Sequence, residues 1–211
     1  MDDSGGVPFA NSACGTFLRL VAAWLDDVSH PVHLLSMIKH PHCRLAHHQS
    51  ISYDELTYLD RALRGVRPAP GIEGLRKHLS SRTKWARLLP IVDALEEVLA
   101  SGLPHGESPA GIEFAQSLEN HLRVAQALSG GEEGPLWRGE DGVVGASLMG
   151  ALRELGSMVG QGSSDYANLF NMLIQNETVR RVRNTHPRVL ILGPLEARLQ
   201  QADHILSLIH I

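Results

Sequence analysis

The feature that most constrains the fold is the position of the one strong strand signal in the sequence. Residues 188–193 read RVLILG, a continuous aliphatic and β-branched run that stops at Gly193-Pro194. A strand that is apolar throughout is usually buried on both faces, as in a parallel sheet. We therefore expect a short β segment near the C-terminal end that enters a sheet whose other strands are not part of this sequence.

Before that strand, apolar residues recur at helical spacing. The pattern predicts a helix at about residues 15–27, a short helix beginning at Pro31, and a helix opened by Ser52 and Glu55 at capping-box spacing. Further helical regions are predicted at residues 72–100 with a break at Pro90, at 112–128 after a Ser108-Pro109 start, at 143–159, and from Ser164 or Asp165 onward. The expected fold class is mainly α.

Composition excludes several classes of protein. Aromatic residues are 5% of the chain and all apolar residues 43%, so aliphatic side chains must do most of the packing. A net charge of -4 argues against a small, uniformly basic nucleic-acid module. Two cysteines cannot form a disulfide framework, which favours a reducing, cytoplasmic location. No apolar run is long enough for a transmembrane helix, so no membrane partner is expected.

Charge is segregated along the chain. Residues 61–90 contain eight basic residues and one acid, Glu73, whereas residues 91–142 contain ten acids and two arginines. A second basic cluster comprises Arg180, Arg181, Arg183 and Arg188. Both clusters could follow a phosphate backbone. The alternative is that they are solvated helix faces that pair with the acidic segment.

Two places could support chemistry. His40, His42, Cys43, His47 and His48 lie within nine residues and offer zinc-type ligands, although their spacing matches no familiar zinc module and an exposed loop is the alternative.

The other place is the turn after the strand, where Glu196 and Arg198 follow Gly193-Pro194. The ends of strands in α/β sheets often contact ligands, but a local ion pair at a strand–helix connection would look the same. The sequence contains no GxSxG elbow, no Walker A motif and no complete catalytic constellation.

Residues 186–203, HPRVLILGPLEARLQQAD, resemble the helicase-motif core of AddB-type double-strand-break repair proteins, where active superfamily-1 helicases keep their fifth motif. Other stretches resemble the same family in the same order, most like its alphaproteobacterial members: DDSGGVPFANSACGTFLRL (2–20), the HisPro at 40–41 in MIKHPHCRL, ALRGVRPAPGIEGLR (62–76), LWRG (136–139) and the helix at residues 166–173.

The resemblance implies a layout. Residues 1–30 would begin a second RecA-like lobe, residues 31–185 would be a helical insertion in that lobe, and residues 186–205 would return to its sheet. Because residues 206–211 depart from the family pattern, we expect them to be a non-native tail on a truncated interior fragment.

The resemblance also implies a function. The chain would be a non-catalytic fragment of an AddB-like subunit of an ATP-dependent helicase/exonuclease, with DNA and an AddA-like subunit as partners. ATP and Mg²⁺ would belong to the parent complex, and no cofactor is expected in the fragment. The residues expected to contact DNA are Arg180, Arg181, Arg183, Arg188, Glu196 and Arg198.

Two alternatives remain open at this point. The chain could be a stand-alone helical interaction module that docks through its basic and acidic faces. It could also be a small metalloenzyme built on the histidines of residues 40–48.

Overall fold

The computed structural model of the protein describes residues 6–45, 51–102, 113–156 and 165–179, with the isolated positions 198, 201, 203, 204 and 206. Over these residues the chain is mainly helical with one short two-stranded sheet, which confirms the predicted helical class. The strand predicted at residues 188–193 and the helix start at Ser108-Pro109 lie outside the described residues.

Eight α-helices occur in the described ranges: α1 (Ala13–Asp26), α2 (Pro31–Ile38), α3 (Tyr53–Leu63), α4 (Ile72–Ser80), α5 (Leu89–Gly102), α6 (Phe114–Leu128), α7 (Gly139–Gly156) and α8 (Tyr166–Ile174). Two 3₁₀ helices, Phe9–Asn11 and Thr83–Leu88, precede α1 and α5. None of the helices in these ranges combines the length and the apolar content that crossing a bilayer requires.

Local signals set several helix ends as predicted. Ser52 accepts a hydrogen bond from the Glu55 backbone N–H, and the Glu55 carboxylate accepts one from the Ser52 N–H, which completes the capping box of α3. Asp165 caps α8 by accepting from the Asn168 N–H. Pro90 lies in the first turn of α5, where a missing N–H costs no helical hydrogen bond.

Helix α1 is the centre of the core. It packs against α2, α6, α7 and α8 and buries Phe17, Leu18, Val21 and Trp24 completely. Such side chains each contribute roughly 1.5–3 kcal/mol when they leave water. The interdomain boundary predicted at residue 30 therefore falls between two helices that pack together, and that division stays a prediction.

Gly145 shows why a glycine-rich helix is tolerated at α7. A Cβ at this position would lie 2.9 Å from the Cys14 sulfur and 3.0 Å from the ring of Phe9. The glycine weakens α7 as an isolated helix but lets it approach α1 closely.

The sheet was not predicted. Strand β1 (Val7–Pro8) pairs antiparallel with β2 (Thr178–Val179), with Val7 opposite Val179. The Phe9 N–H extends the pairing by donating to the Glu177 carbonyl oxygen at 2.7 Å. Each strand has only two residues, too few to show an alternating pattern in the sequence.

Helices α3, α4 and α5 form a second region. Helix α4 packs on α5, and the 3₁₀ helix Thr83–Leu88 contacts α3, α4 and α5. This region is joined to the α1 region by contacts of α5 with α6 and of α2 with α3.

Candidate nucleic-acid interface

One of the six predicted DNA-contacting residues, Arg198, lies among the residues that the structure describes. Arg180, Arg181, Arg183, Arg188 and Glu196 lie outside the described residues, and Arg198 is an exposed, isolated position. Strand β2 ends at Val179, and Arg180, the first of these arginines, is the next residue in the sequence. The assignment of this cluster to DNA therefore stays a prediction.

The basic cluster of residues 61–90 is described in full, and part of its charge is neutralised within the chain. Arg76 bridges Asp93 at 2.7 Å and Glu96 at 2.5 Å, and these hydrogen bonds raise the pKa of Arg76. Arg64 pairs with Asp60 at 2.5 Å, and Arg67 pairs with Asp27. For these three arginines the alternative of ion-paired helix faces is the better description.

Two further cations of this cluster lie against aromatic rings. The Arg87 guanidinium carbon lies 3.2 Å from the centroid of the Tyr58 ring, and the Lys84 ammonium lies 4.3 Å from the centroid of Trp85. Tyr58 and Trp85 meet edge to face with centroids 6.5 Å apart. The Arg87–Tyr58 and Tyr58–Trp85 contacts attach the 3₁₀ helix to α3, whereas the Lys84–Trp85 contact lies within the 3₁₀ helix.

Five exposed cations of the cluster have no carboxylate within ion-pairing distance among the described residues. We call them the open basic surface; they are Arg61, Lys77, Arg82, Lys84 and Arg87. Arg61 lies three residues after Tyr58, so it is a surface neighbour of the Arg87–Tyr58 stack.

The acid most affected by this surface is Glu55. Its hydrogen bonds with Ser52, together with the charge of Arg87, lower the pKa of the Glu55 carboxyl. Glu55 is committed to the α3 capping box and interacts with the charge of Arg87 without forming an ion pair with it.

Hydrogen bonds fix the backbone beneath the open basic surface. Ser80 and Ser81 donate to the carbonyl oxygens of Arg76 and His78, which satisfies the last turn of α4. His78 Nε2 lies 2.9 Å from the Ala62 carbonyl oxygen and must donate to it, because a carbonyl only accepts. Helix α4 is thereby tied to the C-terminal end of α3.

Among the histidines of residues 40–48, His40 and His42 pack against Phe17 of the core. The rings of Phe17, His40 and His42 form a cluster, with centroids 5.2 Å apart for Phe17–His40, 5.3 Å for His40–His42 and 5.9 Å for Phe17–His42, and His40 Nδ1 accepts the His42 N–H. Burial lowers the pKa of His40 to about 4. No three His, Cys, Asp or Glu side chains gather as a metal site within the described ranges, and His47 and His48 lie outside them.

A buried polar network was missed by sequence reasoning. His121 is fully buried, its Nε2 lies 2.9 Å from the Leu18 carbonyl oxygen, and its Nδ1 lies 2.9 Å from the Tyr166 hydroxyl. Because Nε2 must donate to the carbonyl, neutral Nδ1 accepts from Tyr166. Burial lowers the pKa of His121 to about 4 and raises that of Tyr166. The available signal was that His121 falls on the apolar stripe of α6.

An acidic depression of about 310 Å³ adjoins the sheet and is lined by Val7, Ser12, Glu140, Asp141 and Val179. Asp141 accepts the Cys14 N–H at 2.9 Å and thus caps α1 from α7. Burial, and secondarily the charge of Asp141, raises the pKa of Cys14 to about 12, so this thiol is a poor nucleophile. Asp141 therefore has a structural role in this depression, as the cap of α1.

No protein-family model matches the chain, and neither a curated protein nor a solved structure matches it.

Proposed function

We propose that the chain is a non-catalytic helical segment of an AddB-type subunit, which works with an AddA-like partner in ATP-driven processing of DNA double-strand breaks. ATP and Mg²⁺ act in the parent complex. The contribution of this segment is to contact DNA or the partner subunit. The support comes from the resemblance and from how the resembling stretches are arranged in the fold.

The observation that supports the proposal most is that four of the resembling stretches pack together around α1. Phe17 of the first stretch stacks on His40 of the HisPro stretch. Leu18 is connected through His121 to Tyr166 of the last helix. These stretches are far apart in sequence, so their contact suggests that they are parts of one structural unit.

The LWRG stretch joins the same unit through α7. Leu136 of this stretch is buried in the same hydrophobic cluster as Phe17 and Leu18, and Asp141, two residues after the stretch, accepts the Cys14 N–H of α1. The remaining stretch, residues 62–76, lies in the α3–α5 region. There Gly74 is required because a Cβ would lie 1.9 Å from the Ala69 carbonyl oxygen.

The test is binding of a blunt-ended DNA duplex by the full chain, alone and with an AddA-like subunit. The variant is Arg180→Gln/Arg181→Gln/Arg183→Gln/Arg188→Gln. It should bind more weakly, and the dependence of log affinity on log salt should fall by roughly 0.9 for each phosphate that the variant no longer neutralises. A control for net charge removes three exposed arginines elsewhere: Arg44→Gln/Arg123→Gln/Arg138→Gln. If the two variants bind alike, the arginine assignment fails.

Partner binding tests the other half of the proposal. An AddA-like subunit should retain the full chain in a stoichiometric complex during gel filtration. Failure to form this complex, together with failure to bind DNA ends, would contradict the AddB-type assignment.

A stand-alone helical interaction module is the second candidate, and one observation favours it. The buried side chains from Phe9 to Val179 form a single continuous hydrophobic cluster. Such a body should unfold in one cooperative transition without a partner. A cooperative, monomeric chain that binds neither DNA nor an AddA-like subunit would support this candidate over the first.

A further inference from the structure

We propose that the open basic surface, Arg61, Lys77, Arg82, Lys84 and Arg87, binds the sugar–phosphate backbone of a nucleic acid strand. This inference rests on the proposed function, because it identifies a second DNA contact of the same segment. It is separate in the fold from the arginines that follow β2 and depends on described residues alone.

Five of the eight basic residues of residues 61–90 form no ion pair with a described carboxylate. Arg64, Arg67 and Arg76 are neutralised by carboxylates of the chain. The five residues of the open basic surface have no such partner among the described residues. Glu73 lies one turn before Lys77 on α4 without forming an ion pair. The unpaired charge is thus concentrated at the α3–α4–3₁₀ junction.

Two cations of the open basic surface, Lys84 and Arg87, are held in place by aromatic rings. Arg87 is stacked on Tyr58, Lys84 lies over Trp85, and the His78 bond fixes α4 to α3. Side chains that are already ordered lose less conformational entropy when a ligand binds. Two of the five cations, Lys84 and Arg87, are therefore ordered before a phosphate binds.

Four of the five cations lie at residues 77–88, where the surface lacks an apolar centre, whereas the exposed Tyr53 and Val66 lie near the ends of α3, which carries Arg61. Residues 77–88 expose no large apolar side chain, and Trp85 is only 7% exposed. A protein–protein interface normally has an apolar or aromatic centre, and a membrane-surface segment inserts apolar side chains. Residues 77–88 offer neither. A buried Trp85 also cannot stack on a base, so the contact should be independent of sequence.

The experiment measures fluorescence anisotropy of a labelled oligothymidylate and of a labelled blunt duplex with the full chain across a salt series. The variant Lys77→Gln/Arg82→Gln/Lys84→Gln removes three cations and spares the Arg87–Tyr58 stack. We expect affinity to fall about tenfold or more at low salt, and the salt slope to be smaller by roughly 2 to 3.

The control is again Arg44→Gln/Arg123→Gln/Arg138→Gln, which removes the same charge from other elements. It should show only the weaker, long-range effect of net charge. Circular dichroism and the urea midpoint should be unchanged in both triple variants, since all six residues are exposed.

Three results would overturn the inference. The first is equal binding by the variant and the control, and the second is a wild-type chain that binds neither probe. The third is polyglutamate that competes as well as the nucleic acid, which would assign the surface to an acidic protein. If only the Arg180–Arg188 variant loses binding, the proposed function stands and this inference fails.

Discussion

In the α1 region a histidine network is buried within the core, whereas the ion pairs that join α4 to α5 lie on the surface. His121 is completely enclosed and bonds to Leu18 and Tyr166. In the α3–α5 region, Arg76 joins α4 to α5 through two exposed carboxylates, Asp93 and Glu96. The four phenylalanines, Phe9, Phe17, Phe114 and Phe170, are all buried in the α1 region.

Burial changes how much free energy of unfolding is lost when a polar contact is broken. A buried group that loses its partner keeps the full cost of its desolvation, while an exposed one turns to water. Exposed ion pairs contribute little and are weakened by salt. The α1 region should therefore tolerate substitution poorly, and the α3–α5 region should retain its fold while its surface charges change.

The largest effect is expected for His121→Ala. The substitution leaves a cavity and removes the partner of both the Leu18 carbonyl and the Tyr166 hydroxyl, so we expect a loss of about 4 kcal/mol in the free energy of unfolding. Urea denaturation followed by circular dichroism measures it. The matched control is His78→Ala in the other region, which breaks one half-exposed bond and should cost about 1 kcal/mol. Equal losses would remove the distinction between the regions.

Acid should destabilise the protein through the same histidine. The pKa of His121 is lowered by burial from 6.5 to about 4, so between these values the unfolded chain binds more protons than the folded one. Stability is fully present above pH 6.5 and decreases as the pH falls toward 4, by about 3 kcal/mol for this group. His40 shifts in the same direction.

Urea midpoints at neutral pH and near pH 4 test this dependence. In His121→Asn the imidazole is absent, so the difference between the two midpoints should shrink. A difference that is unchanged by the substitution would assign the acid sensitivity to other groups.

The smallest effect is expected for Arg76→Gln. Both of its carboxylate partners are exposed, and water can take the place of the guanidinium at each of them. The urea midpoint should move slightly at low salt and not at all in about 1 M salt, where the Debye length is near 3 Å. A destabilisation as large as that of His78→Ala, or one that persists in high salt, would show that this ion pair stabilises the α4–α5 packing substantially.

Local structure was predictable, since its causes lie within a few residues of one another. The Ser52–Glu55 capping box, the Asp165 cap and the position of Pro90 each depend on neighbours in sequence, and each is confirmed. The charge segregation was also visible. The sequence did not show which cations are neutralised, because Arg67 forms its ion pair with Asp27, forty residues away.

Long-range features were missed for the same reason. The His121 network needs partners from α1 and α8, which the periodicity of α6 cannot identify. Val7 and Val179 pair across almost the whole described chain, through strands of two residues. The predicted DNA-contacting arginines follow directly after this pairing and stay a prediction.

The pairing of β1 with β2 has a topological consequence. The chain enters β1 at Val7 and leaves β2 at Val179, and antiparallel pairing places these two points side by side. Paired strands have Cα atoms about 5 Å apart. The described helices between them therefore begin and end at neighbouring points of the chain, as those of a domain inserted into a host fold do. Excising residues 7–179 from a longer polypeptide would leave a gap that a few residues could bridge.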